Sequence, residues 1–189
     1  NNNLRAKDKV KINDLGCNYF QFYKEIKRQN LLDKYDYMGY DIDTDFINLG
    51  LKHFPELKDS YCVFNIERKK PRKTDISIIS ATLEHTSNPE GFLNNALETS
   101  TSAIFLRTFL SDKQESYLMT DKKYVRTPYY INQFSKYKLK DTFESKNYSF
   151  KIIKDEATNY SEPYELFKGL LTRQMYIIFA KKNNNKFFD

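Results

Sequence analysis

Tryptophan is absent from this 189-residue chain, and glycine, proline, cysteine and histidine are scarce, with 5 Gly, 5 Pro, 2 Cys and 2 His. Each shortage removes a class of explanation. So few Gly and Pro leave no flexible linker and no low-complexity segment, and no internal repeat is visible. Cys17 and Cys62 cannot build a disulfide framework or a cysteine-based metal centre. Reduced thiols in a cytosolic setting are the simplest reading, so the chain is expected to be cytoplasmic. The Asn-x-Ser sequons at Asn147 and Asn159 then have no role. No apolar run approaches the ~18–20 residues that a membrane span needs. No secretory signal is visible either. The chain opens Asn1-Asn2-Asn3 without Met, so N-terminal residues of a longer chain are expected to be missing.

What is present is a large supply of apolar and aromatic side chains. Hydrophobic residues make up 40% of the chain, including 15 Tyr and 15 Phe, which argues against disorder despite 30% charged residues. The length predicts one domain over 1–189 with a real core, fraying from Asn183. The net charge of +6 is modest, and acids and bases are interleaved. Nucleic-acid binding is allowed by that balance but not required.

The hydrophobic periodicity alternates between strand and helix. Strands are predicted at Val10 to Leu15, Tyr37 to Asp41, Tyr61 to Phe64, Asp75 to Ser80 and Ala103 to Phe109. The fourth is almost continuously apolar, as a central parallel strand should be. Between them, Tyr19, Phe22, Tyr23 and Ile26 have helical spacing, as do Ile47, Leu51 and Phe54. Thr44 or Asp43 can cap the second helix, and Asn88-Pro89 reads as a cap plus first-turn proline for a helix burying Phe92, Leu93, Ala96 and Leu97. A polar stretch from Ser111 to Thr127 should lead to a helix around Tyr129 to Tyr137. The last strands, Tyr148 to Ile153 and Gln174 to Lys181, should form an antiparallel pair around an insertion. This order specifies a doubly wound α/β sheet, with ligands held outside the carboxyl ends of its strands.

The turn Asp14-Leu15-Gly16-Cys17-Asn18-Tyr19-Phe20 resembles the glycine-rich first motif of class I S-adenosylmethionine-dependent methyltransferases. Asp14 and Gly16 match; Asn18 and Phe20 stand where the second and third glycines usually fall. Dinucleotide sites need that second glycine to admit a pyrophosphate, so the departure weighs more against NAD than against S-adenosylmethionine. Tyr40-Asp41-Ile42-Asp43 resembles the second-strand motif, and Asp75 to Pro89 resembles the segment of strand, Leu-Glu-His, then Pro. The resemblance covers about residues 10 to 109 by motif and the rest by element order. It lacks the Pro-Gly-Gly turn before strand five, where Glu98-Thr99-Ser100-Thr101-Ser102 stands. It implies a mostly parallel seven-stranded, Rossmann-like sheet.

The same resemblance implies a cofactor site of Asp14, Gly16, Cys17, Asn18, Phe20, Asp41, Ile42, Asn65, Ile66, Ser80 and Ala81. Asp41 would accept both ribose hydroxyls, Ile42 would pack on the adenine, and Asn65 would meet its edge. Asp43 fits helix capping better than ligand binding. Ser80 and Ala81 would line the methionine end through backbone carbonyls. His85 is the candidate general base and Arg107 a candidate acceptor contact, with either a substrate anion or a local carboxylate as its partner. His53 reads as a surface or dipole partner, Glu84 as structural. Tyr129, Tyr130 and the stretch Tyr160 to Tyr164 are further acceptor-pocket candidates. The basic run Arg68 to Lys73 should lie at the amino edge of the sheet, away from the crevice. The implied activity is in-line methyl transfer to a small molecule or glycan-like metabolite. An RNA or protein methyltransferase, or a degenerate interaction domain, are the alternatives.

Overall fold

The computed structural model describes residues 9–121, 127–159 and 174–183. Its frame is a run of parallel strands, β1 (Val10–Leu15), β2 (Tyr35–Asp41), β3 (Tyr61–Val63), β4 (Thr74–Ser80) and β5 (Ser100–Ser111). Two later strands, β8 (Tyr148–Lys154) and β9 (Met175–Lys182), pair antiparallel, and β9 lies antiparallel along β5 from Ala103 to Phe109. The spatial order β3-β2-β1-β4-β5-β9-β8 is therefore a seven-stranded sheet with one reversed strand, as expected. The strand order reverses between β1 and β4, which puts a ligand crevice at the carboxyl ends of both.

Helices cover both faces. α1 (Gln21–Arg28) and α2 (Thr44–His53) bury Tyr23, Ile26 and Ile47 against Ile12, Phe20 and Tyr37. α3 (Pro89–Thr99) and α4 (Lys136–Ser145) bury Phe92, Leu93, Ala96, Leu97, Leu139 and Phe143 on the opposite face, against Ile79, Ile104 and Ile178. Strand periodicity divides these sets: along β4, Ile76 and Ile78 serve the first cluster, Ile79 the second. At roughly 1.5–3 kcal/mol for each large apolar side chain, the two layers supply most of the driving force for folding.

Capping follows the sequence. The Asp43 carboxylate accepts from Asp45 N and Phe46 N, and Asn88 Oδ1 accepts from Gly91 N with Pro89 in the first turn. The segment after β5 departs from expectation. Instead of a polar stretch and a helix over Tyr129 to Tyr137, the chain makes an antiparallel hairpin, β6 (Glu115–Met119) with β7 (Tyr129–Ser135). Tyr-Tyr-Ile-Asn-Gln-Phe is rich in residues that suit a pleated surface, and β7 finds both β6 and the end of β5 as partners. The helix starts only afterwards, where Ser135 Oγ accepts from Lys138 N. The hairpin raises the sheet to nine strands.

Cys17 is buried and Cys62 exposed, and both thiols are free. Among the described residues, no helix is long and apolar enough to cross a membrane.

Candidate active site

The loop after β1 turns on Gly16, at φ 82. A Cβ built there would stand 2.2 Å from the side chain of Thr82, so the position excludes a side chain on two counts. Gly16 N and Cys17 N both donate to Tyr40 O, clamping the turn onto the end of β2. Asn18 (φ 53) and Phe20 (φ 64) continue the left-handed path. Asn tolerates this conformation, and Asn18 Oδ1 accepts from Tyr19 N.

Phe20 does not face the crevice. Its ring is fully buried between β2 and α2, where Gly39 and Gly50 leave room for it: a Cβ built on either would stand 2.9 or 2.5 Å from the ring. In a dinucleotide fold the third motif glycine allows close helix–strand packing. Here the small residues lie on the facing elements and the aromatic takes the motif position.

Asp41, at the end of β2, joins two loops. Its Oδ2 accepts from Asn18 N at 2.8 Å and its Oδ1 from Asp43 N at 2.9 Å. The carboxylate is half-buried and keeps lone pairs for further donors. Further bonds draw the remaining loops in. Ser87 N and Oγ donate to the Glu67 carboxylate, Asn132 Nδ2 donates to Thr86 O, and Thr82 Oγ1 donates to Ser80 O. Ala81, at φ 54, holds its N–H to Arg107 O. Three of the six left-handed residues among the described ones, Gly16, Asn18 and Phe20, lie in the loop after β1, with Ala81 after β4 and Asn30 and Asn147 elsewhere.

These loops enclose a cavity of about 590 Å³, within the range of small-molecule sites. Of the candidate site residues named from the sequence, Gly16, Asn18, Asp41, Ile42, Asn65, Ile66, Ala81 and His85 line it. Phe46, Phe64, Glu67 and Thr82 also line it. Ile42 is 66% exposed and Phe46 42%, an apolar ledge open to the cavity. Asn65 Oδ1 accepts from Glu67 N, which is turn chemistry, but its amide N–H groups remain donors. The described lining carries three carboxylates, Asp41, Asp43 and Glu67, and no Lys or Arg.

The other expected cofactor residues lie elsewhere. Asp14 is 4% exposed and accepts from Tyr37 Oη at 2.7 Å beneath the loop. Burial, opposed by that hydrogen bond and aided by Asp41, pushes its carboxyl up to about 7. The Cys17 thiol is buried under the turn, and burial raises it far above its ordinary value. Ser80 lines a groove on the other face of the sheet with Ile78 and Phe105, because strand alternation turns it away.

His85 ends a 3-10 turn (Leu83–His85) and is exposed to the cavity. Its Nδ1 lies 3.0 Å from Tyr130 O. A carbonyl only accepts, so Nδ1 donates and the neutral ring keeps its lone pair on Nε2. Tyr129 packs edge-on to the imidazole with ring centroids 5.4 Å apart. Glu84 is buried, accepts from Thr108 Oγ1, and its carboxyl is raised by burial. Arg107 is held by a local carboxylate, its Nε donating to Asp155 Oδ2 at 2.7 Å. Tyr160 to Tyr164 lie outside the described residues. Among the described residues, no group of three or more His, Cys, Asp or Glu is placed to hold a metal.

Of the residues that sequence reasoning missed, Phe46, Phe64 and Glu67 carry no motif, and Thr82 lies within the Asp75 to Pro89 segment with no role assigned to it there. Only the convergence of the loops gives them a common wall.

No protein-family model and no curated protein sequence matches this chain. Solved structures do. Magnesium protoporphyrin IX methyltransferase from Synechocystis PCC 6803, with bound S-adenosylhomocysteine, aligns with a TM-score of 0.62 at 10% identity over 92% of this chain and 74% of its own. An S-adenosylmethionine-dependent methyltransferase from Clostridium acetobutylicum ATCC 824 gives 0.59 at 8% identity, over 91% and 83%. The N-terminal domain of EvdMO1, with bound S-adenosylhomocysteine, gives 0.63 at 11%, over 92% and 74%. At such identities the likeness speaks to architecture: the chain has the Rossmann-like fold of class I S-adenosylmethionine-dependent methyltransferases.

Proposed function

We propose that the chain is an S-adenosylmethionine-dependent methyltransferase acting on a small-molecule acceptor. The observation that carries this reading is the Asp41 carboxylate, fixed by two backbone N–H groups at the mouth of a crevice that has an apolar ledge and no described cation. The three described carboxylates, Asp41, Asp43 and Glu67, disfavour a pyrophosphate and suit an adenosyl sulfonium.

The residues fit the cofactor in kind. Asp41 would accept the ribose hydroxyls, Ile42 and Phe46 would cover the adenine, and Asn65 would donate to its edge. Gly16, Ala81 and Thr82 would face the methionine end. The bound cofactor supplies a methyl group already activated on a positive sulfur. The chain's remaining work is to hold an acceptor in line, exclude water and take a proton where the acceptor has one to lose. His85 Nε2 is the group for that last task. The basic run does not lie wholly at the amino edge of the sheet, since Lys69 Nζ sits over the ring of Phe64 in the crevice wall. RNA is disfavoured because two of its cations are already paired, Lys70 with Glu98 and Arg72 with Asp36.

Calorimetric titration with S-adenosylhomocysteine, and separately with NAD, tests the reading. The expected result is one-to-one binding of the thioether and none of the dinucleotide. Binding of NAD alone, or of neither, contradicts it.

A further inference from the structure

A second cavity of about 290 Å³ opens beside the crevice, and the two share Ala81, His85 and Tyr129 in their walls. Part of its wall is Phe109, Met119, Ile131 and Met175, which form a separate buried cluster with Ala81 packed against it. These residues come from the end of β5, from the β6–β7 hairpin and from the start of β9, so the inserted hairpin builds this cavity.

The polar part of the wall carries a cation that is already matched. Among the described lining residues Arg107 is the one cation. Its Nε donates to Asp155 Oδ2 at 2.7 Å and its Nη2 to Thr158 Oγ1 at 2.5 Å, and Thr158 Oγ1 donates to the same Asp155 oxygen at 2.8 Å. The Asp155 side chain is only 7% exposed. The Asp155 charge offsets that of Arg107 beside the cavity, so an incoming anion gains less there than it would from an unpaired guanidinium. Glu84 is the one acid among the described lining residues, and burial raises its carboxyl.

What the cavity offers instead is an aromatic and thioether surface with one basic lone pair. Phe109 and Tyr129 suit the face or edge of a ring, and the Met119 and Met175 sulfurs suit its rim. A cavity of about 150 Å³ holds benzene, so this one has room for one substituted ring. Resting on the cofactor assignment above, we propose that it receives a neutral single-ring phenol, methylated on its hydroxyl oxygen. The phenol oxygen attacks the methyl carbon. The new C–O bond forms as the C–S bond breaks, its electron pair stays on sulfur, and the phenolic proton passes to His85 Nε2 and then to solvent. A phenol ionises near pH 10, within reach of an imidazole, whereas an aliphatic alcohol does not. The Asp155–Arg107–Thr158 set is a specificity device that refuses carboxylates and phosphates.

The full chain, saturated with S-adenosylhomocysteine, is titrated with catechol, benzoate and benzylamine by calorimetry, with the His85 ring signals followed by NMR. Catechol should bind at least about tenfold more tightly than the other two and shift the His85 signals. Asp155→Asn should raise benzoate affinity by freeing Arg107. If that variant does not fold, Thr158→Val should give a smaller rise by loosening the same guanidinium. Benzoate or benzylamine binding as tightly as catechol, or no catechol binding to the loaded protein, overturns the acceptor class. Failure of S-adenosylhomocysteine to bind overturns the cofactor assignment beneath it.

Discussion

At the residue scale, the buried acid Asp14 shows how the site's position taxes the fold. Its carboxyl, pushed up to about 7, holds its proton across a range where an unfolded chain, near 3.8, has lost it. Between those values the unfolded state binds fewer protons, so this group's contribution to stability falls as pH rises and is flat above about 7. At about 1.4 kcal/mol per pH unit, the loss is up to about 4 kcal/mol. Asp14→Asn keeps an acceptor for Tyr37 Oη and removes the slope. Denaturant unfolding at pH 4 and pH 8 should show the variant gaining on the parent at the higher pH; parallel curves would contradict the assignment. Residues also divide by how far sequence reveals them. Asp41 and Asp43 are legible because a strand end and a helix cap demand carboxylates there. Phe20 is not, because its direction depends on Gly39 and Gly50, glycines remote in sequence that make space for its ring.

At the element scale, the Phe20 ring decides between two opposed effects at Gly50. Replacing a helix-interior glycine with alanine ordinarily stabilises by about 1 kcal/mol. A Cβ on Gly50 would lie 2.5 Å from the buried ring and 3.1 Å from the Tyr19 carbonyl carbon, and overpacking costs about 1–3 kcal/mol. Gly50→Ala should therefore destabilise, and the loss should shrink in a Phe20→Leu background; a more stable single variant would contradict this packing. Most elements were readable from sequence because strands and helices alternate with clean periods and with caps at Asp43 and Asn88. The β6–β7 hairpin was not. Its two short strands partner each other, and β7 is tied to the main sheet only because β5 runs on to Ser111, a long-range event invisible to local pattern.

At the scale of the whole molecule, ligand binding should stabilise the fold because the crevice exists only when the loops after β1, β2 and β4 meet. S-adenosylhomocysteine at about 100 times its dissociation constant should contribute about 2.7 kcal/mol and raise Tm by about 5–10 °C in a domain of this size. An unchanged melting curve under those conditions would mean that the ligand also binds the unfolded chain or not at all. The positive net charge should not translate into a nucleic-acid site. Affinity for single-stranded RNA should be weak, with a shallow dependence on salt, since Lys70 and Arg72 are already paired; a steep slope would indicate several phosphate contacts.

The convergence of these loops on one adenosyl thioether is tested most directly by comparing S-adenosylhomocysteine affinity in the parent and in Asp41→Ala by calorimetry, with melting curves confirming that both are folded. Loss of the carboxylate removes the acceptor for two loop N–H groups and for the ribose, so affinity should fall by about 30-fold or more. Equal affinity in the two folded proteins would contradict it.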